Sequence, residues 1–127
     1  MLADALALRW PIVNVELGIR GDATLVVSDA DTAIALRSGS VPVLGTPRVV
    51  ALLEEATVAA IGDRLPDGQT TVAMRVQVDH LQPTAVGGVV EAEAILEKVE
   101  GRRLTFTVSA SDAKGLVAAG KVTRALV

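Results

Sequence analysis

The stretch GTPRVVALLEEATVAAIG, residues 45–62, has the pattern of one long apolar helix. Thr46 is a favourable N-cap, Pro47 suits the first helical position, and the final glycine suits the C-terminal end. Most residues between these ends are Val, Ala, Leu or Ile, yet Glu54 and Glu55 lie side by side in the middle. The pattern therefore predicts a largely buried helix, and the adjacent carboxylates need an explanation.

A helical wheel separates the two carboxylates. Glu55 falls opposite the apolar face, beside Arg48, and is predicted to face solvent. Glu54 falls at the border of that face, where partial burial disfavours an unpaired charge and creates the need for a partner. A boundary carboxylate that reaches solvent or a backbone N–H is the simpler alternative for Glu54. The wheel places four residues at the centre of the apolar face: Val49, Leu53, Ala56 and Ala60.

Alternating apolar and polar residues predict one strand before this helix and four after it. The first strand spans residues 22–28, and a short helical turn capped by Ser28 or Asp29 follows it. The third and fourth strands have buried faces formed by Val90, Ala92, Ala94 and Leu96, and by Leu104, Phe106, Val108 and Ala110. In the second strand, one face is predicted to carry Val72, Met74, Val76, Val78 and His80, and the other Arg75, Gln77 and Asp79.

One strand, one apolar helix and four strands with short connections form an α+β pattern. The short turns between the last strands predict an antiparallel meander. The long helix is expected to lie across one face of that sheet.

Length and composition exclude several classes of protein. The 127 residues fit a single domain over residues 15–127, with a poorly defined N-terminal extension at residues 1–14. A net charge of −3 argues against nucleic-acid binding. The chain has no cysteine and one histidine, so neither a disulfide framework nor a metal site is expected. With no signal peptide or membrane-spanning segment predicted, the expected location is the cytoplasm.

Several separated segments resemble the fluoroacetyl-CoA thioesterase family of hot-dog fold proteins. VEGRRLTFTVSASD (residues 99–112) is the most specific of them, and TPRVVALLEEA, VQVDHLQPTAVGG and AAGKVTRALV keep their mutual spacing with it. Together they cover roughly two thirds of the chain, and residues 25–47 resemble the family's first strand and loop more loosely. The resemblance implies a hot-dog fold, with a long central helix wrapped by a curved antiparallel β-sheet.

The resemblance also implies a function and a set of site residues. The substrates are acyl-CoA thioesters, and two subunits pair edge to edge with active sites at their interface. The family's catalytic residues fall on Thr46, Glu54 and His80. Arg124 matches a family arginine and is a candidate contact for the CoA phosphates. No metal or cofactor is implied, because coenzyme A is part of the substrate.

Two positions depart from the family pattern. Ser40 stands where the family prototype has an aromatic lid residue, and Ala73 stands where it has a glycine on the histidine-bearing strand. Ala73 is therefore a candidate substrate-binding position. We do not predict fluoroacetyl-CoA as the substrate, and the acyl group stays open.

Helix geometry constrains the mechanism, because Thr46 and Glu54 lie eight residues, or about 12 Å, apart along one axis. Either the site is completed across a dimer interface or the helix start is irregular, and we favour the first. Glu54 is expected to act as nucleophile or as general base for water, and His80 to transfer a proton. N–H groups at the helix N-terminus are expected to hold the thioester oxygen.

The residues also leave functions of three other classes open. A hot-dog hydratase or dehydratase would pair an Asp with a His in a short loop-helix motif, whereas Asp79 is predicted on the opposite strand face from His80. The second class is a non-catalytic protein that binds an acyl-CoA or another ligand. The third is a purely structural dimerisation module.

Overall fold

A computed structural model describes residues 15–127, so the predicted extension at residues 1–14 lies outside the described residues. One long helix and five strands follow the predicted order, which confirms the α+β class. A 3-10 turn at Asp29–Asp31 confirms the predicted short turn. Ser28 precedes this turn, and its backbone N–H and its hydroxyl both donate to the Asp31 carboxylate. The elements are β1 (Arg20–Val26), α1 (Thr46–Ile61), β2 (Thr71–His80), β3 (Val89–Glu100), β4 (Arg103–Asp112) and β5 (Gly115–Leu126).

The five strands form one sheet in the order β1-β3-β4-β5-β2. Every neighbouring pair is antiparallel, and β3, β4 and β5 form the predicted meander. Strands β1 and β2 therefore occupy the two edges of the sheet. Helix α1 packs across one face and contacts all five strands. This is the curved sheet around a central helix that the resemblance implied.

The core lies between α1 and the inner face of the sheet. All four residues predicted at the centre of the apolar helix face are buried, as are the predicted inner faces of β3 and β4. Phe106, the only phenylalanine, is fully buried among aliphatic side chains. Full burial of a side chain of this size stabilises the fold by about 1.5–3 kcal/mol. The core is therefore built mainly from Val, Leu, Ile and Ala.

Gly21 sets how closely β1 approaches the helix. A Cβ atom at this position would collide with backbone atoms of Ala56 and Ala60 on α1. These atoms belong to the main chain of a packed helix, so they cannot move aside as a flexible side chain would. Gly21 therefore allows the edge strand to cross directly over the last turns of α1.

Strand β2 does not keep the single alternation that the sequence predicted. Its register against β5 shifts between Ala73 and Arg75, which places a β-bulge around Met74. In a sheet, paired residues on neighbouring strands have their side chains on the same face. Val76 pairs with the buried Val122, so it lies on the inner face. Val72 pairs with Ala125 and lies on the outer face. The prediction that Val72 shares a face with Val76, Val78 and His80 is therefore wrong, because the extra residue reverses the alternation.

No helix within residues 15–127 is long and apolar enough to cross a membrane. Likewise, this part of the chain contains no group of three or more His, Asp or Glu side chains that could hold a metal ion.

Candidate active site

Helix α1 begins one residue earlier than the sequence predicted. Gly45 is the N-cap, Thr46 is the first helical residue, and Pro47 follows it. A Cβ atom at Gly45 would lie only 3.0 Å from the Leu36 side chain and 3.1 Å from Ala33, so the chain passes tightly here. The prediction of Thr46 as N-cap is therefore wrong, and its hydroxyl is not used to cap the helix.

The Thr46 hydroxyl instead meets the only histidine of the chain. Thr46 Oγ1 and His80 Nδ1 lie 2.8 Å apart, although 34 residues separate them in sequence. Thr46 is fixed by the first turn of α1, and His80 is fixed as the last residue of β2. A hydrogen bond of this length links the hydroxyl to a ring nitrogen that can exchange a proton. Two of the three predicted catalytic residues are thus in direct contact within one chain.

The second ring nitrogen of His80 has no protein partner. Nε2 is buried and makes no hydrogen bond within the described residues. Most buried polar atoms in folded proteins are paired, so an unpaired one marks a position where a ligand or water can bind. A cavity of about 290 Å³ opens beside His80 and Thr46. The pair therefore borders a space that can hold a reacting group.

The loops around this pair are held by hydrogen bonds. The Leu44 N–H donates to the Thr84 carbonyl over 2.8 Å, and the Thr84 hydroxyl donates to the Asp112 carboxylate over 2.8 Å. The hydrogen bond from Thr84, together with one from the Lys114 amide, lowers the pKa of Asp112 from its usual value. Asp112 thus connects the β4–β5 turn to the loop immediately before Thr46.

The two adjacent glutamates of α1 occupy different environments, as the wheel predicted. Glu55 is exposed and forms an ion pair with Arg48 at 3.1 Å. Arg48 also reaches Asp31, at 3.4 Å, so Glu55 belongs to a surface ion-pair network. Glu54 is half-buried and lines a second cavity of about 380 Å³ with Arg124.

Arg124 is buried on the inner face of β5 and is held by Thr71. Its Nε donates to Thr71 Oγ1 over 2.8 Å, and its Nη2 donates to the Thr71 carbonyl over 2.9 Å. Burial lowers the pKa of Arg124, and the charge of the Glu54 carboxylate opposes that effect. Ala73, the other candidate substrate-binding residue, lies directly opposite Arg124 in the β2–β5 ladder. Arg124, Ala73 and Glu54 therefore gather at one corner.

The candidate site residues of the described chain thus form two clusters, which lie at different positions along α1. Thr46 and His80 form the first, at the start of the helix, and Glu54 lies with Arg124 in the second. The hydrogen-bonding role of Thr71 was missed in the sequence, because only the strand register shows that it reaches Arg124. Two turns of helix between the clusters leave Glu54 apart from the Thr46–His80 pair within a single chain.

Comparison with known proteins decides the family. A family model described as fluoroacetyl-CoA-specific thioesterase matches residues 27–127 of this chain. The chain belongs to the fluoroacetyl-CoA-specific thioesterase family. Membership confirms the predicted resemblance.

This chain is also similar in sequence to a curated fluoroacetyl-CoA thioesterase. That relative comes from Streptantibioticus cattleyicolor and is 35% identical to this chain over 85 residues. The match covers 67% of this chain and 61% of that protein, so the chain spans less than two thirds of the relative's length.

Solved structures of similar proteins confirm the hot-dog fold. A variant of the fluoroacetyl-CoA-specific thioesterase FlK, in complex with fluoroacetate and CoA, superposes with a TM-score of 0.83 at 31% identity, covering 89% of this chain and 95% of that one. A thioesterase superfamily member from Thermus thermophilus superposes with a TM-score of 0.82 at 25% identity, covering 89% and 84%. A hot-dog-like protein from Thermanaerovibrio acidaminovorans gives 0.81 at 28% identity, covering 87% and 82%.

Proposed function

We propose that this protein is an acyl-CoA thioesterase that hydrolyses an acyl-CoA thioester to the free acid and CoA without a metal ion. The observation that carries this proposal is the 2.8 Å contact between Thr46 Oγ1 and His80 Nδ1, beside a cavity at the start of α1. A hydroxyl, an imidazole and a helix N-terminus are groups that acyl transfer uses. The relative bound to fluoroacetate and CoA has the same fold, which supports a CoA ester as substrate.

The first turn of α1 offers one donor for the thioester oxygen. Arg48 and Val49 already donate their N–H groups to the Gly45 carbonyl, and Pro47 has no N–H. We therefore propose that the backbone N–H of Thr46 donates a hydrogen bond to the thioester oxygen as negative charge develops on it. The positive end of the helix dipole adds to the same stabilisation.

The reaction that we propose breaks the carbon–sulfur bond of the thioester. Glu54 attacks the carbonyl carbon directly, or removes a proton from the water that attacks it; the two routes differ in whether an anhydride forms on the enzyme. The departing thiolate takes a proton from His80. On the direct route, water then hydrolyses the anhydride, which regenerates the carboxylate, and a proton of that water returns to His80. On the other route, the proton that Glu54 took from water passes to His80, so both groups are restored and the acid product releases its own proton to solvent.

We propose that Glu54 reaches Thr46 and His80 from a second subunit. Strand β2 is an edge strand, and its side chains Val72, Met74 and Val76 are exposed. Unpaired backbone groups and exposed apolar side chains on an edge are features of a surface that pairs with another chain. A site assembled in this way requires a homodimer.

The direction of this pairing follows from two-fold symmetry. Two copies of β2 that pair across a two-fold axis run antiparallel, so the His80 end of one lies near the Thr71 end of the other. Thr71 holds Arg124, and Arg124 lies by Glu54. The same pairing that covers the apolar edge thus brings the partner subunit's Glu54 toward the Thr46–His80 pair.

Arg124 and Ala73 would then line the entrance for the CoA moiety. Arg124 remains our candidate for a contact with the CoA phosphates. Its guanidinium is buried, and no carboxylate of the described chain lies within ion-pair distance of it. A guanidinium in this position favours an anionic ligand. We propose the cytoplasm as the location, where CoA esters are the available substrates.

Release of free CoA, followed with a thiol reagent, tests the function directly. The cysteine-free chain contributes no background signal, so acyl-CoA esters of increasing chain length can be compared at high enzyme concentration. We expect turnover of at least one ester. Hydration of an enoyl-CoA without CoA release would instead favour a hydratase, and binding without either reaction would favour a non-catalytic ligand-binding protein.

A further inference from the structure

We infer that Thr84 and Asp112 are positioning residues, which together hold the Thr46 hydroxyl against the His80 imidazole. This inference rests on the proposed thioesterase function and extends its machinery to two side chains outside the reacting pair. It comes from the hydrogen bonds that join the loop before α1 to the segment after β2 and to the β4–β5 turn.

Two segments of the chain lie side by side at the candidate site, one leading into α1 and the other leading out of β2. The contact between Thr46 Oγ1 and His80 Nδ1 lies at one end of their pairing. Farther along, the Leu44 N–H donates to the Thr84 carbonyl over 2.8 Å, and an isolated antiparallel bridge comes next. The main-chain bond at Thr84 therefore sets how the helix start is placed relative to the imidazole.

Thr84 is buried at this junction, and its side chain is held on two sides. Only 4% of its surface is exposed, and its hydroxyl donates to Asp112 Oδ2 over 2.8 Å. Its methyl group packs against the main chain at Gly88, where an added Cβ atom would lie only 2.6 Å away. A buried hydroxyl that loses its acceptor is costly, so the bond to Asp112 fixes the orientation of Thr84. The carbonyl that accepts from Leu44 is thereby held in place.

Asp112 extends this anchor to the end of β4. Its second carboxylate oxygen, Oδ1, accepts the Lys114 N–H over 2.8 Å, so both oxygens are in use. The same hairpin also holds the histidine side, because the Leu81 N–H donates to the Val117 carbonyl of β5 over 2.7 Å. The β4–β5 hairpin is therefore the common support of the hydroxyl and the imidazole.

A common support matters because catalytic groups must stay within hydrogen-bond reach of one another. A displacement of about 1 Å can lower the rate of an enzyme about 100-fold. Loss of the bond between Thr84 and Asp112 frees the segment at Leu44, and Thr46 then moves relative to His80. The simpler alternative is that this bond only stabilises the fold. The two alternatives differ in what happens at the imidazole.

Thr84→Val removes the hydroxyl but keeps the buried shape, the main-chain carbonyl and the bond between Lys114 and Asp112. We expect kcat for CoA release to fall about tenfold while KM stays within about twofold of the wild-type value. Thr84→Ser returns the hydroxyl and should restore most of kcat. Thr105→Val is the matched control, since it removes a β4 hydroxyl that lies 3.3 Å from the Thr123 hydroxyl across the sheet. This control should leave both constants unchanged.

The imidazole itself gives a readout that does not require turnover. His80 is the only histidine of the chain, so its Nδ1 resonance is unambiguous in a long-range ¹H–¹⁵N NMR spectrum and reports the hydrogen bond to Thr46. We expect Thr84→Val to shift this resonance in the same direction as Thr46→Val, and Thr105→Val to leave it in place. That result supports the inference even if no ester is hydrolysed, an outcome that would defeat only the thioesterase proposal.

An unchanged Nδ1 resonance in Thr84→Val would overturn the positioning role, as would a loss of kcat that Thr84→Ser fails to restore. If Thr84→Val does not fold, Asp112→Ala removes the acceptor at a half-buried position instead. The same shift of the Nδ1 resonance is then expected, and its absence would overturn the inference equally.

Discussion

Thr46 Oγ1 lies 2.8 Å from His80 Nδ1, and this contact joins the first turn of the helix to the last residue of an edge strand. Because Gly45 serves as N-cap, the Thr46 hydroxyl is available to the imidazole. The contact therefore points to chemistry at the site more than to stability of the helix.

Removal of the Thr46 hydroxyl should affect turnover much more than folding. In Thr46→Val the shape of the side chain is kept, and the hydrogen bond to His80 is lost. We expect kcat to fall by a factor on the order of 100, with a loss of stability of about 1 kcal/mol. Steady-state CoA release and urea unfolding measure the two effects. Thr46→Ser keeps the hydroxyl and should retain most of the activity; a Val variant with unchanged kcat would remove Thr46 from the mechanism.

Mixed dimers test whether one site draws residues from two subunits. His80→Gln and Glu54→Gln chains carrying different affinity tags are co-expressed, and dimers holding both tags are isolated. In a two-fold dimer one of the two sites then has all three residues intact, so we expect about half of the wild-type rate per dimer. Each homodimeric variant serves as the inactive control. Mixed dimers as inactive as the two parents would show that each site lies within one chain.

Arg124 is expected to act on the CoA portion of the substrate. Arg124→Lys keeps the charge but loses the paired donation to Thr71, so the cation is no longer held in place. We expect KM for an acyl-CoA to rise about tenfold, while KM for the corresponding acyl-pantetheine, which lacks the nucleotide phosphates, stays close to the wild-type value. An equal rise for both esters would contradict a phosphate contact.

Asp112 should make the stability of the fold depend on pH. Its folded-state pKa is lowered, chiefly by the hydrogen bond from Thr84, so its contribution is fully present above the unfolded-state pKa and is lost as the pH falls through the folded-state pKa. Urea unfolding between neutral pH and about pH 3 should show a shallower loss of stability in Asp112→Asn than in the wild type. Parallel curves for the two proteins would show that this carboxylate does not contribute.

Gly21→Ala tests the close crossing of β1 over α1. The added methyl would meet the backbone of Ala56 and Ala60, which cannot yield. We expect a loss of about 3 kcal/mol in the free energy of unfolding, measured by urea titration. Gly39→Ala is the matched control, since its new methyl would lie at an ordinary 3.4 Å from Ala33. A Gly21 variant as stable as the control would mean that the strand and helix are less closely packed.

Local patterns were sufficient to predict the element order, the inner faces of β3 and β4 and the different positions of Glu54 and Glu55. These features depend on periods of two or 3.6 residues within one element. The bulge at Met74 could not be predicted, because it depends on how β2 aligns with β5. The contact between Thr46 and His80 likewise joins elements 34 residues apart, and only the fold shows that Gly45 displaces Thr46 from the cap.

We propose that Glu54 takes part in the chemistry, whereas its neighbour Glu55 only forms the surface ion pair with Arg48. The most direct measurement is kcat for CoA release by Glu54→Gln and by Glu55→Gln, with the best acyl-CoA ester of the panel. We predict that kcat falls by a factor on the order of 1,000 in Glu54→Gln and stays within about twofold of wild type in Glu55→Gln. An undiminished rate in Glu54→Gln would show that Glu54 is neither the nucleophile nor the general base.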